Sequence, residues 1–257
     1  MSNLSQIKKN TFWLVVFQLA KMGFPFLILP VLTRRLSVEV YGDLTYVKTV
    51  MNFMQIFVDF GFMLSATKEL AKINHQKADR TKFEQVITNT LFARILLGLL
   101  GLVIVLVLCI FIPILHRNLL FTLLSYLAVF LSIFLFDFLF RGLEIIHIMT
   151  IRFILMKTVS TLLTIFFVKQ DNQLLYIPLF DIFSSILAIL LVLFELKKLG
   201  LKFQRPNLKA SLASLKTSFI YFLSDISATA FNAISTIIIG LVFSSSEVAF
   251  FGLSIHI

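Results

Sequence analysis

Charged side chains and cysteines are scarce in this chain of 257 residues. Only 14% of the residues are charged, against about 25% in an average soluble domain. The single cysteine, Cys109, excludes a disulfide within the chain and offers no spacing for a metal site. It lies in an apolar stretch, so we expect a small packing side chain there rather than a reactive thiol.

The residue patterns on which most enzymes depend are also missing. The sequence has no paired carboxylates at catalytic spacing, no glycine-rich phosphate loop and no nucleotide motif. The four histidines fall in predicted loops, at helix ends or near the last residue; they are His75, His116, His147 and His256. A membrane enzyme such as a polysaccharide polymerase or a glycosyltransferase is therefore disfavoured. We expect no catalytic residue, no metal ion and no cofactor.

Hydrophobic sequence is what the chain has in excess. Hydrophobic residues make up 59% of it, and they fall in runs of the roughly 20 residues that cross a bilayer as a helix. The alternation typical of membrane β-strands is absent. The sequence therefore predicts an all-α, polytopic membrane helix bundle. Its predicted helices are 11–33, 41–66, 87–115, 119–141, 151–169, 174–196 and 216–243, with an eighth from 248.

Lysine and arginine predict the orientation in the membrane. The N-terminus and the loops after helices two, four and six hold sixteen of the 23 basic residues, counting helix ends. The opposite loops hold four, namely Arg34, Arg35, Arg117 and Lys169. Because cytoplasmic loops are enriched in these residues, we expect a cytoplasmic N-terminus in the cell membrane. The net charge of +10 then reflects membrane topology rather than nucleic-acid binding.

The chain is expected to divide into a lobe of six helices (1–196), a basic cytoplasmic linker (197–215) and the start of a second lobe (216–257). The linker fits an amphipathic helix on the leaflet or a solvated loop equally well. Residues 37–44 (SVEVYGDL) are loosely echoed by 245–253 (SSEVAFFGL), each after a long helix and at the start of another. This echo indicates an internal repeat, of the kind from which many transporters are built.

Polar residues inside predicted spans indicate a hydrated cavity. Thr45, Lys48, Asn52, Gln55 and Asp59 advance by three or four residues and so share one helix face. Ionisable groups within a span are costly and need a partner or water. The residues expected to line a substrate cavity are Lys21, Lys48, Asn52, Gln55, Asp59, Arg94, Asp225 and Asn232.

Two features of these spans leave alternatives open. Lys21 could form a structural ion pair with Asp59 instead of serving the cavity, because antiparallel packing brings the two near each other. Pro25 and Pro30 could kink the first helix as a gating element or simply adapt its packing.

Acids match the buried cations in number, so the sequence does not predict a net basic cavity. The cations counted are Lys21, Lys48, Arg94 and Lys157, and the acids are Asp59, Asp137, Asp181 and Asp225. Asp137 and Arg141, four residues apart, are expected to form a structural pair.

Several short motifs resemble the oligosaccharide flippases (Wzx type) of the multidrug/oligosaccharidyl-lipid/polysaccharide exporter superfamily. They are Asn10, Leu32-Thr33-Arg34-Arg35-Leu36, Val40-Tyr41-Gly42, Phe60-Gly61-Phe62 and Ala66-Thr67-Lys68-Glu69. The resemblance implies a MATE-like architecture of two six-helix bundles around a central cavity. This chain supplies one lobe and the start of the other, as a truncated product or a fragment would.

The resemblance also implies a function. A flippase of this kind moves an undecaprenyl-pyrophosphate oligosaccharide across the inner membrane by alternating access, for surface polysaccharide biosynthesis. Its partners would be the lipid-linked oligosaccharide, membrane lipids and polysaccharide assembly proteins, with no nucleic acid. A cation-coupled multidrug exporter of the same superfamily is the alternative, although the first helix carries Lys21 and no acid. A second alternative is that the chain is an inactive fragment of a flippase.

Overall fold

A computed structural model describes residues 3–76 and 79–255, without the side chains of 3–5, 230–233 and 254–255. Within those ranges the regular elements are all helices, which confirms the all-α prediction. They are α1 (Asn3–Arg35), α2 (Val38–Asp59), α3 (Phe62–His75), α4 (Arg80–Phe111), α5 (Pro113–Arg117), α6 (Leu119–Leu131), α7 (Asp137–Gly142), α8 (Ile146–Phe167), α9 (Tyr176–Lys198), α10 (Leu208–Val242) and α11 (Ser245–Ile255). Two 3-10 turns cover Ser132–Leu135 and Asp171–Gln173.

Six stretches of these helices are long and apolar enough to cross a bilayer. They are α1, α2 with α3, α4, α6 with α7, α8 and α9 with the turn before it. Two parts of α10, Leu208–Thr229 and Ile234–Val242, make a seventh if their bent pair is counted as one span. These spans confirm the predicted polytopic membrane bundle.

The α1–α2 turn shares one end of the bundle with the loops around α5, after α8 and before α11. The guanidinium of Arg35 donates to the carbonyl of Val168 over 2.9 Å, and the Ser37 amide donates to Asp171 over 2.8 Å. Arg117 reaches both α2 and Ser245 at the same end. We call this the turn end of the bundle, and the other the opposite end.

Two predicted helices are broken where the sequence gives no proline to break them. The predicted helix 41–66 divides into α2 and α3 because Phe60 and Gly61 both have left-handed backbones, with φ of 42° and 71°. The predicted helix 119–141 divides at the 3-10 turn and at Phe136, whose φ is 52°. Both breaks lie within membrane-length stretches.

Buried arginines from neighbouring helices contact both breaks. Arg152 donates to the Leu135 carbonyl over 2.9 Å and pairs with Asp137 at the start of α7. Arg94 pairs with Asp59 at the last residue of α2 and lies 3.4 Å from the Ile133 carbonyl. Since the bilayer core offers no water to free carbonyls, the contacts with Ile133 and Leu135 stabilise the break between α6 and α7. At the break between α2 and α3, Arg94 contacts only the Asp59 carboxylate.

The expected pair between Asp137 and Arg141 is therefore not formed. Asp137 is taken by Arg152, which is itself only 4% exposed and needs a counter-charge. Glu144, the acid three residues after Arg141, instead contacts His75 at 3.1 Å.

The basic segment 197–215 is partly helix and partly a strap along α4. Glu84 of α4 accepts the Lys202 amide at 3.0 Å and the Gln204 side chain at 2.9 Å. Asn89 accepts the Asn207 amide at 2.9 Å, and Asn207 then caps the first turn of α10. The strap is thus held against α4 rather than free in solvent. The division of the chain into two lobes stays a prediction.

Gly61→Ala tests the break between α2 and α3. An added Cβ would lie 2.6 Å from both the Phe222 nitrogen and the Ser218 carbonyl of α10, in a backbone that already favours glycine. We expect a loss of about 1–2 kcal/mol from the left-handed backbone alone, and more from the displaced α10. Thermal unfolding of the detergent-solubilised protein measures this.

Gly23→Ala is the matched control, because a Cβ there meets no atom within 4 Å and the residue lies inside α1. We expect it to leave the unfolding temperature unchanged or higher, since alanine favours helix. Equal unfolding temperatures for the two variants would contradict the role given to Gly61.

Candidate functional site

A cavity of about 920 Å³ lies inside the bundle. Its walls come from α1, α2, α6, α8, α9, α10 and α11, so helices distant in sequence meet around it. The volume is near the upper end of ordinary ligand pockets, which hold about 300–1,000 Å³. It is therefore the candidate site.

The wall from α1 and α2 carries two lysines. Lys21 of α1 and Lys48 of α2 both line the cavity, and both are exposed there. Neither forms an ion pair or a hydrogen bond with any residue whose side chain the structure describes. Asn52 and Gln55 continue the same face of α2, and Gln55 donates to Ser132 of the neighbouring turn over 2.9 Å.

The wall from α8 and α9 carries a loosely paired lysine and aspartate. Lys157 Nζ lies 3.8 Å from Asp181 Oδ1, with 38% and 28% of the two side chains exposed. Ser160 donates to the same carboxylate oxygen over 2.6 Å. Thr161, Thr164, Ser184 and Ser185 complete a wall rich in hydroxyl groups.

The charges that line the cavity are not balanced. Among the described lining residues, the lysines are Lys21, Lys48 and Lys157 and the carboxylate is Asp181. The acids expected to balance them are used elsewhere, because Asp59 pairs with Arg94 and Asp137 pairs with Arg152. The cavity therefore carries a formal excess of two positive charges, which corrects the balance counted from the sequence.

Three residues expected at the cavity lie outside its described lining. Arg94 is 5% exposed, holds Asp59 and lies 6.0 Å from the Phe138 ring. Because Asp59 accepts from Arg94 and Gln55, the alternative pair between Lys21 and Asp59 is not formed. Asp225 of α10 is half-buried within electrostatic range of Asp59. The side chain of Asn232 lies outside the described residues.

The two prolines differ in position along α1. Pro25 lines the cavity beside Lys21, while Pro30 is exposed one turn farther along. The helix continues through both, from Asn3 to Arg35. A gating role for this region stays a prediction.

Sequence reasoning missed a polar hub at the turn end, centred on Asp43. This carboxylate is only 4% exposed and accepts from Arg117 over 2.8 Å and from Asn118 and Ser245 over 2.6 Å each. Arg117 also pairs with Glu39 at 2.8 Å. Burial disfavours the charged form of Arg117. The contacts of its guanidinium with Asp43 and Glu39 outweigh this effect and raise the pKa of Arg117.

The hub joins the two similar motifs, residues 37–44 and 245–253. The sequence indicated that these motifs are alike, but it did not indicate that they are in contact. Gly42 of α2 contacts the Ser245 carbonyl, and a Cβ on Gly252 of α11 would lie 2.6 Å from Thr45 Cγ2. Glycines at these positions let α2 and α11 pack closely. The signal in the sequence was the glycine retained in both copies of the motif.

The sequence has recognisable relatives. Residues 7–254 match the model of the family described as polysaccharide biosynthesis protein. A putative O-antigen transporter of Shigella dysenteriae is 25% identical over 238 residues, which cover 91% of this chain and 58% of that protein. One of Escherichia coli (strain K12) is 24% identical over 256 residues, covering 97% of this chain and 60% of that protein. The chain thus spans less than two thirds of both relatives' length. No solved structure matches.

Arg94→Leu tests the structural role of the Arg94–Asp59 pair. The variant leaves the Asp59 carboxylate, which is 26% exposed, without its counter-charge. Removing one partner of a buried pair costs about 3–5 kcal/mol, discounted here for the partial exposure of Asp59. We therefore expect a clearly lower unfolding temperature in detergent.

The double variant Arg94→Leu/Asp59→Asn is the control, because it removes both charges. We expect it to recover a large part of the loss. If the single and double variants unfold at the same temperature, the pair does not stabilise the break as described.

Proposed function

The chain belongs to the polysaccharide biosynthesis protein family, and from that premise we propose that it forms part of a transporter for a lipid-linked oligosaccharide. The transporter would move an undecaprenyl-diphosphate oligosaccharide across the cytoplasmic membrane, with the N-terminus in the cytoplasm. The two relatives that resemble this chain are described as putative O-antigen transporters, which supports a transporter rather than an enzyme. The chain covers 58% and 60% of those relatives, so the proposal concerns the larger transporter that such a chain would help to build.

The excess positive charge of the cavity is the observation that carries this proposal. Lys21 and Lys48 face the cavity without an acid within 4 Å among the described residues, and Asp181, which is within electrostatic range of Lys48, is already paired with Lys157. A diphosphate is a strong, compact anion, and ammonium groups form short, charge-assisted hydrogen bonds with phosphate oxygens. A cavity that hosted only neutral molecules would gain nothing from unpaired cations, which are costly inside a membrane.

The rest of the substrate fits the surroundings of these lysines. Asn52, Gln55 and the hydroxyl groups of α8 and α9 offer donors and acceptors to a glycan. The lipid tail would stay in the bilayer along the apolar outer face of α1, where Phe26 and Leu27 are 58% and 63% exposed. Charge, hydroxyl groups and apolar surface thus match the three parts of the proposed substrate.

Alternating access needs one mouth of the cavity to close, and the Asp43 hub is the proposed closure. Tyr41, Leu44 and Thr45, in the first turns of α2, line the cavity beside the helix that the hub ties to α11. With a cytoplasmic N-terminus, the turn end faces outward. The hub would then hold the outer mouth shut while substrate enters from inside.

A cation-coupled drug exporter is less well supported. Such a transporter needs acids free to bind protons or sodium, whereas Asp59 is held by Arg94 and Asp181 is near Lys157. Asp225, which lies outside the described cavity lining, is the remaining candidate of the buried acids.

Lys21→Ala and Lys48→Ala test the anion site. Without either ammonium group the diphosphate loses a charge-assisted contact, worth about 1.5–3 kcal/mol. We expect transport of the lipid-linked oligosaccharide to fall at least tenfold in each variant and to be lost in the double variant. Surface polysaccharide in a strain that depends on this transporter measures the effect, with protein levels checked by immunoblot.

Lys169→Ala is the matched control, because Lys169 is exposed at the turn end and outside the cavity. It should leave surface polysaccharide unchanged. Normal polysaccharide in the Lys21→Ala/Lys48→Ala variant at normal expression would contradict the proposed anion site.

Asp43→Asn tests the closure at the turn end. The amide keeps the shape but loses the charge that Arg117 holds, so the contact between α2 and α11 should weaken. A cysteine placed at Thr49, which lines the cavity, should then react severalfold faster with a membrane-impermeant maleimide added outside. Cys109 is buried, which keeps the background low.

The comparison variant is Glu39→Gln, which removes the exposed partner of Arg117 and leaves Asp43 in place. We expect little change in the labelling rate. Equal rates with and without Asp43→Asn would mean that the hub does not close the cavity.

A further inference from the structure

The two lysine-bearing walls of the cavity differ in a way that assigns them different parts of a substrate. On α1 and α2, neither Lys21 nor Lys48 has a described ion-pair partner within 4 Å, although Lys48 lies within electrostatic range of Asp181 and Lys157. On α8 and α9, Lys157 is 3.8 Å from Asp181, so this pair carries no net charge. The first wall attracts an anion, and the second offers no net attraction to one.

The carboxylate of Asp181 is fixed on one side and open on the other. Its Oδ1 atom accepts from Ser160 at 2.6 Å and faces Lys157. Its Oδ2 atom accepts no hydrogen bond from the residues that the structure describes, and 28% of the side chain is exposed. A carboxylate has room for about four hydrogen bonds, so most of its capacity is free toward the cavity.

One hydroxyl group of the same wall is likewise unsatisfied. Thr164 Oγ1, one turn along α8 from Ser160, is buried at the cavity wall and has no hydrogen-bond partner. Its side chain is 0% exposed, and a buried hydroxyl without a partner is costly. Together with Asp181 it indicates that this wall is built for a ligand with donor and acceptor groups.

Resting on the transport function proposed above, we propose that Asp181, held by Ser160 and Lys157, is a specificity-determining residue that recognises the glycan of the substrate. Sugar hydroxyl groups donate to a carboxylate and accept from an ammonium group, so a neutral pair serves them well. A diphosphate beside Asp181 would instead be repelled by its charge. The anion therefore binds at Lys21 and Lys48, and the glycan at α8 and α9.

Polar groups of this kind discriminate strongly between ligands. A site that hydrogen-bonds a substrate hydroxyl rejects an analogue without it, because the site's own groups are then left unpaired. Asp181 would thus set which glycans are accepted, while Lys21 and Lys48 would bind the part that all such substrates share.

The test compares binding of undecaprenyl diphosphate with binding of undecaprenyl-diphosphate-linked saccharides that begin with different first sugars. The full chain is purified in nanodiscs, and the affinity ratio between each sugar-bearing probe and the sugar-free probe measures glycan preference. We expect the wild-type chain to prefer at least one saccharide. Asp181→Asn should reduce that preference about tenfold and leave the sugar-free probe bound as tightly as before or more tightly.

Two further variants separate recognition from folding. Ser160→Ala removes the hydrogen bond that holds the Asp181 carboxylate and keeps the charges of Asp181 and Lys157. It should reduce the glycan preference by a smaller factor than Asp181→Asn does. Glu195→Gln is the matched control on the same helix, since Glu195 pairs with Lys198 at 2.8 Å outside the cavity. It should leave both affinities unchanged.

The outcomes distinguish this inference from the function on which it rests. If Asp181→Asn weakens both kinds of probe by the same factor, or leaves the preference intact, the glycan role is wrong. A wild-type chain that binds every probe equally also overturns the glycan role, while the anion site stands. Failure of the wild-type chain to bind any probe would overturn the proposed function and this inference together.

Discussion

Backbone carbonyls freed inside a membrane need partners, and that requirement organises this bundle. The spans break near Phe60 and Phe136, within stretches long enough to cross a bilayer. Arg94 and Arg152, from α4 and α8, reach the 3-10 turn between α6 and α7 and hold one carboxylate each. Arg94 and Arg152 are buried where they contact these backbone carbonyls. Their buried charges need counter-charges, which the carboxylates of Asp59 and Asp137 supply.

The charge of the cavity follows from this pairing. Counted along the sequence, four acids match four buried cations. Because two of those acids are taken by arginines at the breaks and Asp225 is outside the described lining, the cavity keeps three lysines against Asp181. The positive excess is thus a consequence of how the helices break, and it cannot be obtained by counting residues.

The features that depend on a local pattern of residues could be predicted from the sequence. Apolar runs located the spans, and the spacing of three and four residues in α2 brought Lys48, Asn52 and Gln55 to one cavity wall. Prediction from the sequence failed where contacts between distant segments decide the structure. The left-handed backbone at Phe60 lies between Asp59 and Gly61, and the Arg94–Asp59 pair joins residues 35 positions apart. Gly61 was a local signal for the break, since glycine often ends a helix, but no local signal marked the Arg94–Asp59 pair or the burial of Asp43.

The two sets of buried charges differ in how easily they can separate. The Arg94–Asp59 pair lies near mid-length in its membrane-length stretches, and opening it would leave a buried arginine without its counter-charge. The Asp43 hub lies at the turn end, where Asp43 is buried but its partner Arg117 is 51% exposed. Water can therefore solvate the arginine of the hub when the contact opens, whereas Arg94 is buried. The transport cycle proposed above, in which the turn end opens while the centre of the bundle stays intact, would use this difference.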